Sequence, residues 1–253
     1  VVYQIYPRSF QDANGDGIGD LRGLIERLDY LNDGTEQSLG VDAIWLSPVF
    51  ESPMADFGYD ISDYRAIDPV FGTMEDFDAL LAAAHQRDIR IVIDLVLNHT
   101  SSLHPWFIES ADAKSEKADW YLWYEGEEPP NNWLSCFGGT GWSWHNTRKA
   151  WYFHSFLPEQ PDLNWRNPAV KQAIREMMEF WLDKGVDGFR LDVANLYFKS
   201  AGLECNPVDV FRIGRPYDRQ FHRYDRDQPE LHALYREMRQ WVDAYDDRMM
   251  VGE

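Results

Sequence analysis

The sequence predicts an α/β protein, a parallel sheet with helices packed outside it. Three observations carry that expectation. Short β-branched or aromatic runs alternate with amphipathic helical patterns along most of the chain. One run, IRIVIDLVLN, is apolar almost without a break, as a strand buried on both faces must be. The 253 residues are 44% hydrophobic and 15% aromatic, enough to fill a large core. Alternation alone suits a closed barrel and a doubly wound open sheet equally. An eight-stranded barrel takes about 250 residues, yet only four strand–helix repeats and a fifth strand occur here. A long interruption takes up the difference.

VVYQIY reads as the first strand, followed by a loop and the helical stretch GDLRGLIERLDYLND. VDAIWLSP is the second strand and TMEDFDALLAAAHQRD the second helix, with Thr73 as N-cap and Asp76 at the third helical position. IRIVIDLVLN is the third strand. The interruption follows, from Ser101 to Trp165, holding eight of the eleven tryptophans, most of them expected in the core of a small inserted subdomain. PAVKQAIREMMEFWLDKG is then a helix with Pro168 early and Gly185 past its end. VDGFRLDVA, PELHALYREMRQWVDAY and RMMVGE supply the fourth strand, a helix and the fifth strand. The expected division is therefore 1–100, the inserted 101–165, and 166–253.

A formal charge of −19 argues against nucleic acid and anionic membrane as partners, since both demand a basic footprint. A neutral substrate fits better. Cys136 and Cys205 alone cannot build a disulfide framework or a multi-cysteine zinc site, and are expected to be free thiols. No apolar run reaches membrane-spanning length. The chain lacks an initiator Met or a leader and opens directly on a strand, as an excerpt of a longer protein would; the expected compartment is the cytoplasm.

Three carboxylates fall at strand ends. Arg190 and Asp192, two apart, share one face of the fourth strand, while Phe189, Leu191 and Val193 face the other way. Asp94 sits inside the third strand, with Asn98 and His99 at its exit. Glu253 closes the fifth. Taken singly each has an equally good structural reading, as an ion pair closing a strand or an acid satisfying loop amides. Together they suggest glycoside hydrolysis with retention, which needs an ionised nucleophile and a protonated acid about 5–5.5 Å apart. Adjacent strands, about 4.8 Å apart, bring Asp192 and Glu253 within that reach.

The loop DANGDGIGD places Asp12, Asn14, Asp16 and Asp20 at positions one, three, five and nine, with Gly17 at six and the Ile18 carbonyl at seven. That spacing is EF-hand-like, but Gly23 replaces the bidentate Glu at position twelve. A calcium site is expected, without an EF-hand domain. In FGYDISDY, Tyr59 and Asp60 follow the second strand, placed either to stack on and hydrogen-bond a sugar or simply to stabilise a turn.

DLVLNH, GFRLD and VGE, in that order along strand–helix repeats, resemble the conserved regions of the α-amylase superfamily, glycoside hydrolase family thirteen. YQIYPRSFQDANGDGIGDL, GYDISDY and PEQPDLNW resemble its α-glucosidase and oligo-1,6-glucosidase branch. The resemblance covers essentially the whole chain. It implies strands one to five of a (β/α)8 TIM barrel with a subdomain inserted after strand three, and retaining chemistry on short α-glucosides. It assigns Asp192 as nucleophile, Glu253 as general acid/base and Arg190 as the group orienting the nucleophile. His99 and Asp60 would bind hydroxyls of the non-reducing glucose, Tyr59 would stack beneath it, and Phe137 would border the same site. Calcium would be held by Asp12, Asn14, Asp16, the Ile18 carbonyl and Asp20. Val193 resembles the pattern linked to α-1,6 preference, although phosphotrehalose hydrolases share it.

The family's third essential acid, strands six to eight and a C-terminal β domain have no counterpart before Glu253. The expectation is an enzyme in the longer parent, with this piece inactive and unstable alone. Sucrose isomerases and trehalose synthases of the same family would share the glycosyl-enzyme and differ in acceptor. A phosphotrehalose hydrolase would need a phosphate site, and no clear basic cluster suggests one. Non-catalytic transporter heavy subunits typically lose carboxylates that are intact here.

Overall fold

The computed structural model describes all 253 residues. β1 (Val2–Ile5) leads into the acidic loop, where Asp20 accepts the Gly23 N–H at 2.7 Å and so caps α1 (Leu21–Glu26). The single helix expected here is broken: Arg27, at φ −103° and ψ 2°, separates α1 from the one-turn α2 (Leu28–Leu31). Leu24, Leu28 and Leu31 are fully buried on both sides of the break. The burial pattern therefore survives although the hydrogen-bond ladder does not.

β2 (Ala43–Leu46) is followed by a hairpin of β3 (Phe50–Glu51) and β4 (Asp63–Ile67). α3 (Met74–His85) opens with the expected cap, a reciprocal box in which Thr73 Oγ1 accepts the Asp76 N–H and Asp76 accepts the Thr73 N–H. β5 (Arg90–Leu95) is buried from Ile91 onward. Next come α4 (Pro105–Ser110) and three short strands, β6 (Trp123–Tyr124), β7 (Trp142–His145) and β8 (Ala150–Phe153). α5 (Pro168–Lys184) starts on an Asn167 cap and ends at Gly185, whose φ of 103° is the left-handed conformation that glycine adopts without strain. β9 (Gly188–Leu191), α6 (Leu231–Val242) and β10 (Met249–Gly252) complete the chain.

The main sheet runs β1-β2-β5-β9-β10, parallel throughout. Its spatial order is the chain order. A doubly wound sheet reverses order at a switch point, whereas a barrel winds in one direction, so the architecture is five consecutive strands of a barrel. One cluster of 46 buried side chains joins this sheet to α1, α3, α5 and α6. Trp181 of α5 is central to it, packed on Phe77 of α3 at 5.1 Å and on Phe50 at 5.3 Å.

Between β5 and β9, the antiparallel β6-β8-β7 sheet has a separate core of Trp133, Trp142 and Phe153. The chain from 199 to 225, after β9, lies against it. Trp133 Nε1 donates to the Glu204 carbonyl at 2.9 Å, Asn132 Nδ2 to Asn206 at 2.9 Å, and Gln220 Nε2 to Asn132 at 2.6 Å. The sequence division had grouped this segment with the barrel alone.

Candidate active site

The parallel register brings the carboxylates together. Asp94 pairs with Arg190 across β5 and β9, and Val251 pairs with Arg190 across β9 and β10. Side chains two apart share a face, so Arg190 and Asp192 project together and Glu253 follows two residues after Val251. All stand at the C-terminal ends of the strands, where barrel enzymes place their chemistry.

One guanidinium gathers all three acids. Arg190 Nη1 donates to Asp94 Oδ1 and Oδ2 at 2.8 and 3.0 Å and to Asp192 Oδ1 at 2.6 Å; Nη2 pairs with Glu253. Arg190 also lies over the Trp45 ring at 4.8 Å, and Trp45 Nε1 donates to Asp94 Oδ2. Asp192 Oδ2 makes no hydrogen bond and is not among the buried unpaired oxygens. Like Oε1 of Glu253, it is left without a partner.

Burial and then the neighbouring Asp94 push the Asp192 carboxyl up to about 7, against the pull of Arg190. Burial raises Asp94 too, with Arg190 opposing it. The Glu253 side chain is 59% exposed. The next residue after Asp192 is also unusual. Val193 holds φ at 39°, a strained setting for a β-branched residue, and turns the chain sharply away from the strand.

Around this cluster, Tyr59 donates its hydroxyl to Asp94 Oδ2 at 3.1 Å, and burial followed by Asp94 raises its pKa. His99 is buried, with Nε2 3.0 Å from the Tyr59 carbonyl; burial above all holds the ring down to about 4, so it is neutral. Phe137 is 57% exposed and meets Phe156 at 5.5 Å, which in turn meets His99 at 5.2 Å. Asp60 is fully buried, accepting from Ser52 Oγ and from the N–H groups of Ala55 and Asp56. Of its two expected parts, this geometry shows the loop-forming one.

In the acidic loop, Asp12 accepts from Gly15 and Gly17 at 2.6 and 2.7 Å, and Asp16 accepts from Ile18 at 2.8 Å. Asp20 caps α1 and accepts the Ala13 N–H. Gly23 has no room for the Glu of an EF-hand, since a Cβ there would fall 2.1 Å from the Gln11 carbonyl. No three acidic or histidine side chains come together at metal-holding distance. All five expected donors, Asp12, Asn14, Asp16, the Ile18 carbonyl and Asp20, lie in this loop, and the four side chains also accept backbone N–H groups within it.

Several neighbours escaped the sequence reading. Gln160 Nε2 bonds Asp56 Oδ2 and the Tyr59 carbonyl and lies 3.1 Å from His99 Nε2. Lys199, buried, binds Asp162, Asn98 Oδ1 and the Leu196 carbonyl, tying the insert to the exits of β5 and β9. PEQPDLNW contained Gln160 and Asp162, but no local pattern reveals a partner some sixty residues away.

Fold and site together define a barrel protein with an arginine-bridged acid cluster at its catalytic mouth. The chain belongs to the α-amylase family: the model of that family's catalytic domain matches residues 4–253. It is 51% identical, over its whole length, to a probable α-glucosidase of Rhizobium meliloti, covering 47% of that protein. It is 50% identical to the oligo-1,6-glucosidase of Bacillus cereus, again over its whole length and 44% of the relative's. The crystal structure of an α-glucosyl transfer enzyme, XgtA, superimposes with a TM-score of 0.95 at 51% identity, over all of this chain and 48% of that one. The chain thus spans about half the length of these relatives.

Proposed function

We propose that the protein carrying this chain is a retaining α-glucosidase that releases glucose from the non-reducing end of short α-glucosides. The observation that carries this reading is the Arg190 bridge between Asp192 and Glu253. Carboxylates held on the two nitrogens of one guanidinium are close neighbours. Retaining chemistry needs two carboxyl groups about 5–5.5 Å apart, and a guanidinium shared by both supports that proximity.

Asp192 Oδ2 attacks the anomeric carbon while Arg190 fixes Oδ1. The glycosidic bond breaks as Glu253 gives its proton to the leaving oxygen, and a glucosyl ester forms on Asp192. Water then attacks the same carbon, Glu253 takes its proton, and Asp192 is released. Tyr59 supplies an aromatic surface beside Asp94, His99 a neutral polar group, and Phe137 the rim. Asp60 acts on the sugar through the loop it holds. We assign the acidic loop to Ca2+, through Asp12, Asn14, Asp16, the Ile18 carbonyl and Asp20; the support is their hard-oxygen chemistry. The free thiols of Cys136 and Cys205 support a cytoplasmic setting, and no helix is long and apolar enough to cross a membrane.

The test is the time course of products from isomaltose and maltose, with Glu253→Gln as control. Glucose from isomaltose in preference to maltose supports an oligo-1,6-glucosidase with Val193 as its determinant. A preference for maltose keeps the mechanism and removes that role from Val193. A second reading, transfer of the glucosyl group to a sugar acceptor, draws support from the likeness to XgtA. Rearranged or elongated sugars in place of glucose would establish it, and no turnover of either disaccharide would overturn both.

A further inference from the structure

A concavity of about 400 Å³ lies on the outer flank of the barrel between β4, α4 and α5, and none of Asp94, Arg190, Asp192 or Glu253 lines it. Its size falls within the range of small-ligand sites, about 300–1,000 Å³. Its floor is aromatic. His104 and Trp106 lie 4.4 Å apart, and Trp120 meets Trp106 nearly at right angles at 4.9 Å. Its rim is charged, with Asp63 and Arg65 from β4 and Glu176 from α5.

His104 provides an independent sign of a ligand. The residue is only 5% exposed, and its Nδ1 accepts the Trp106 N–H at 3.0 Å, which caps α4. Nδ1 therefore carries no proton. Burial, and then the nearby Lys117, hold the ring neutral, down to about 3, so the single ring proton sits on Nε2. That N–H has no partner in the protein, and the ring lines the concavity. The ring is buried, but this N–H opens onto the concavity, free to donate to whatever enters it.

The charges decide what could enter. Asp63 and Glu176 disfavour an anion. A cation would have to share the space with Arg65, and the Lys117 ammonium already occupies the Trp120 ring at 5.3 Å. A neutral molecule with both apolar faces and many hydroxyls satisfies every group: rings stack on indole, carboxylates accept, and Arg65 and His104 Nε2 donate. We propose that this cleft is a second carbohydrate-binding site, taking one or two pyranose rings of a neutral oligosaccharide away from the catalytic mouth. Its argument does not depend on the catalytic reading.

Calorimetric titration of the protein carrying this chain, with Glu253→Gln to stop turnover, tests it with isomaltotriose and maltotriose as probes. Two sugars bound per chain are expected. The rim variants Arg65→Ala and Glu176→Gln, both at exposed or half-exposed positions, should weaken one site at least tenfold and leave the other unchanged. Ala173→Trp, which fills the cleft from α5, should abolish that site, while Tyr59→Ala should weaken only the other. One sugar per chain, or two sites that no flank variant moves, would overturn the proposal. Loss of sugar binding at the mouth with the flank site retained would count against the catalytic reading alone.

Discussion

Asp192 and Glu253 share one arginine and occupy corresponding places on adjacent strands, yet their surroundings have little in common. Asp192 lies between β5 and the turn at Val193, 7% exposed, with Asp94 behind it. The Glu253 side chain is 59% exposed. A strand-end position brings a carboxylate to the mouth of a barrel. The burial around Asp192 raises its proton affinity.

The largest expected effect contrasts the two acids directly. Asp192→Asn should lower turnover by about 10⁴-fold or more for every substrate, because it removes the nucleophile. Glu253→Gln should cost about 10²–10⁴-fold on natural glucosides and far less on aryl glucosides, whose leaving groups need no proton. Steady-state rates on the two substrate types check both. Equal sensitivity to leaving group in the two variants would dissolve the distinction.

Fold stability tests the arginine the acids share. Arg190→Met leaves the buried Asp94 and Asp192 without their counter-ion and should cost about 3–5 kcal/mol. Urea unfolding measures it.

Asp192 also leaves a signature in pH. Its carboxyl titrates near 3.8 when unfolded and about 7 when folded, so the native state binds the extra proton between those values. Stability from this group therefore falls as pH rises from about 4 to 7 and is level above. Asp192→Asn should raise the melting temperature at pH 8 and leave it nearly unchanged at pH 4. The same shift places the acid limb of kcat/KM near 7, activity being lost as pH drops and the nucleophile protonates. A smaller effect belongs to the frame: Thr73→Ala should remove about 1 kcal/mol through loss of the α3 cap.

Local pattern revealed the parts of the molecule whose cause is local. Ile91 to Leu95 announce a doubly buried strand, Thr73 and Asp76 a reciprocal cap, and Gly185 a left-handed helix end. Arg190 and Asp192 reveal a shared face by their spacing alone. The break at Arg27 was hidden because the buried leucines keep a helical period across it. Trp45, Gln160, Phe156 and Lys199 were hidden because their parts depend on residues brought close only by the finished fold. Asp60 and Asp20 show a third limit: the sequence offers a carboxylate, and the loop amides it also accepts from are visible only in the fold.

The central claim is that Asp192, not Glu253, becomes bonded to the sugar. Incubating the protein carrying this chain with a 5-fluoro-α-glucosyl fluoride, which slows breakdown of a glycosyl-enzyme, and mapping the adduct by peptide mass spectrometry tests it directly. The account predicts one glucosyl ester on the peptide containing Asp192, absent in Asp192→Asn. An ester on Glu253, or turnover with inversion and no adduct, would contradict it.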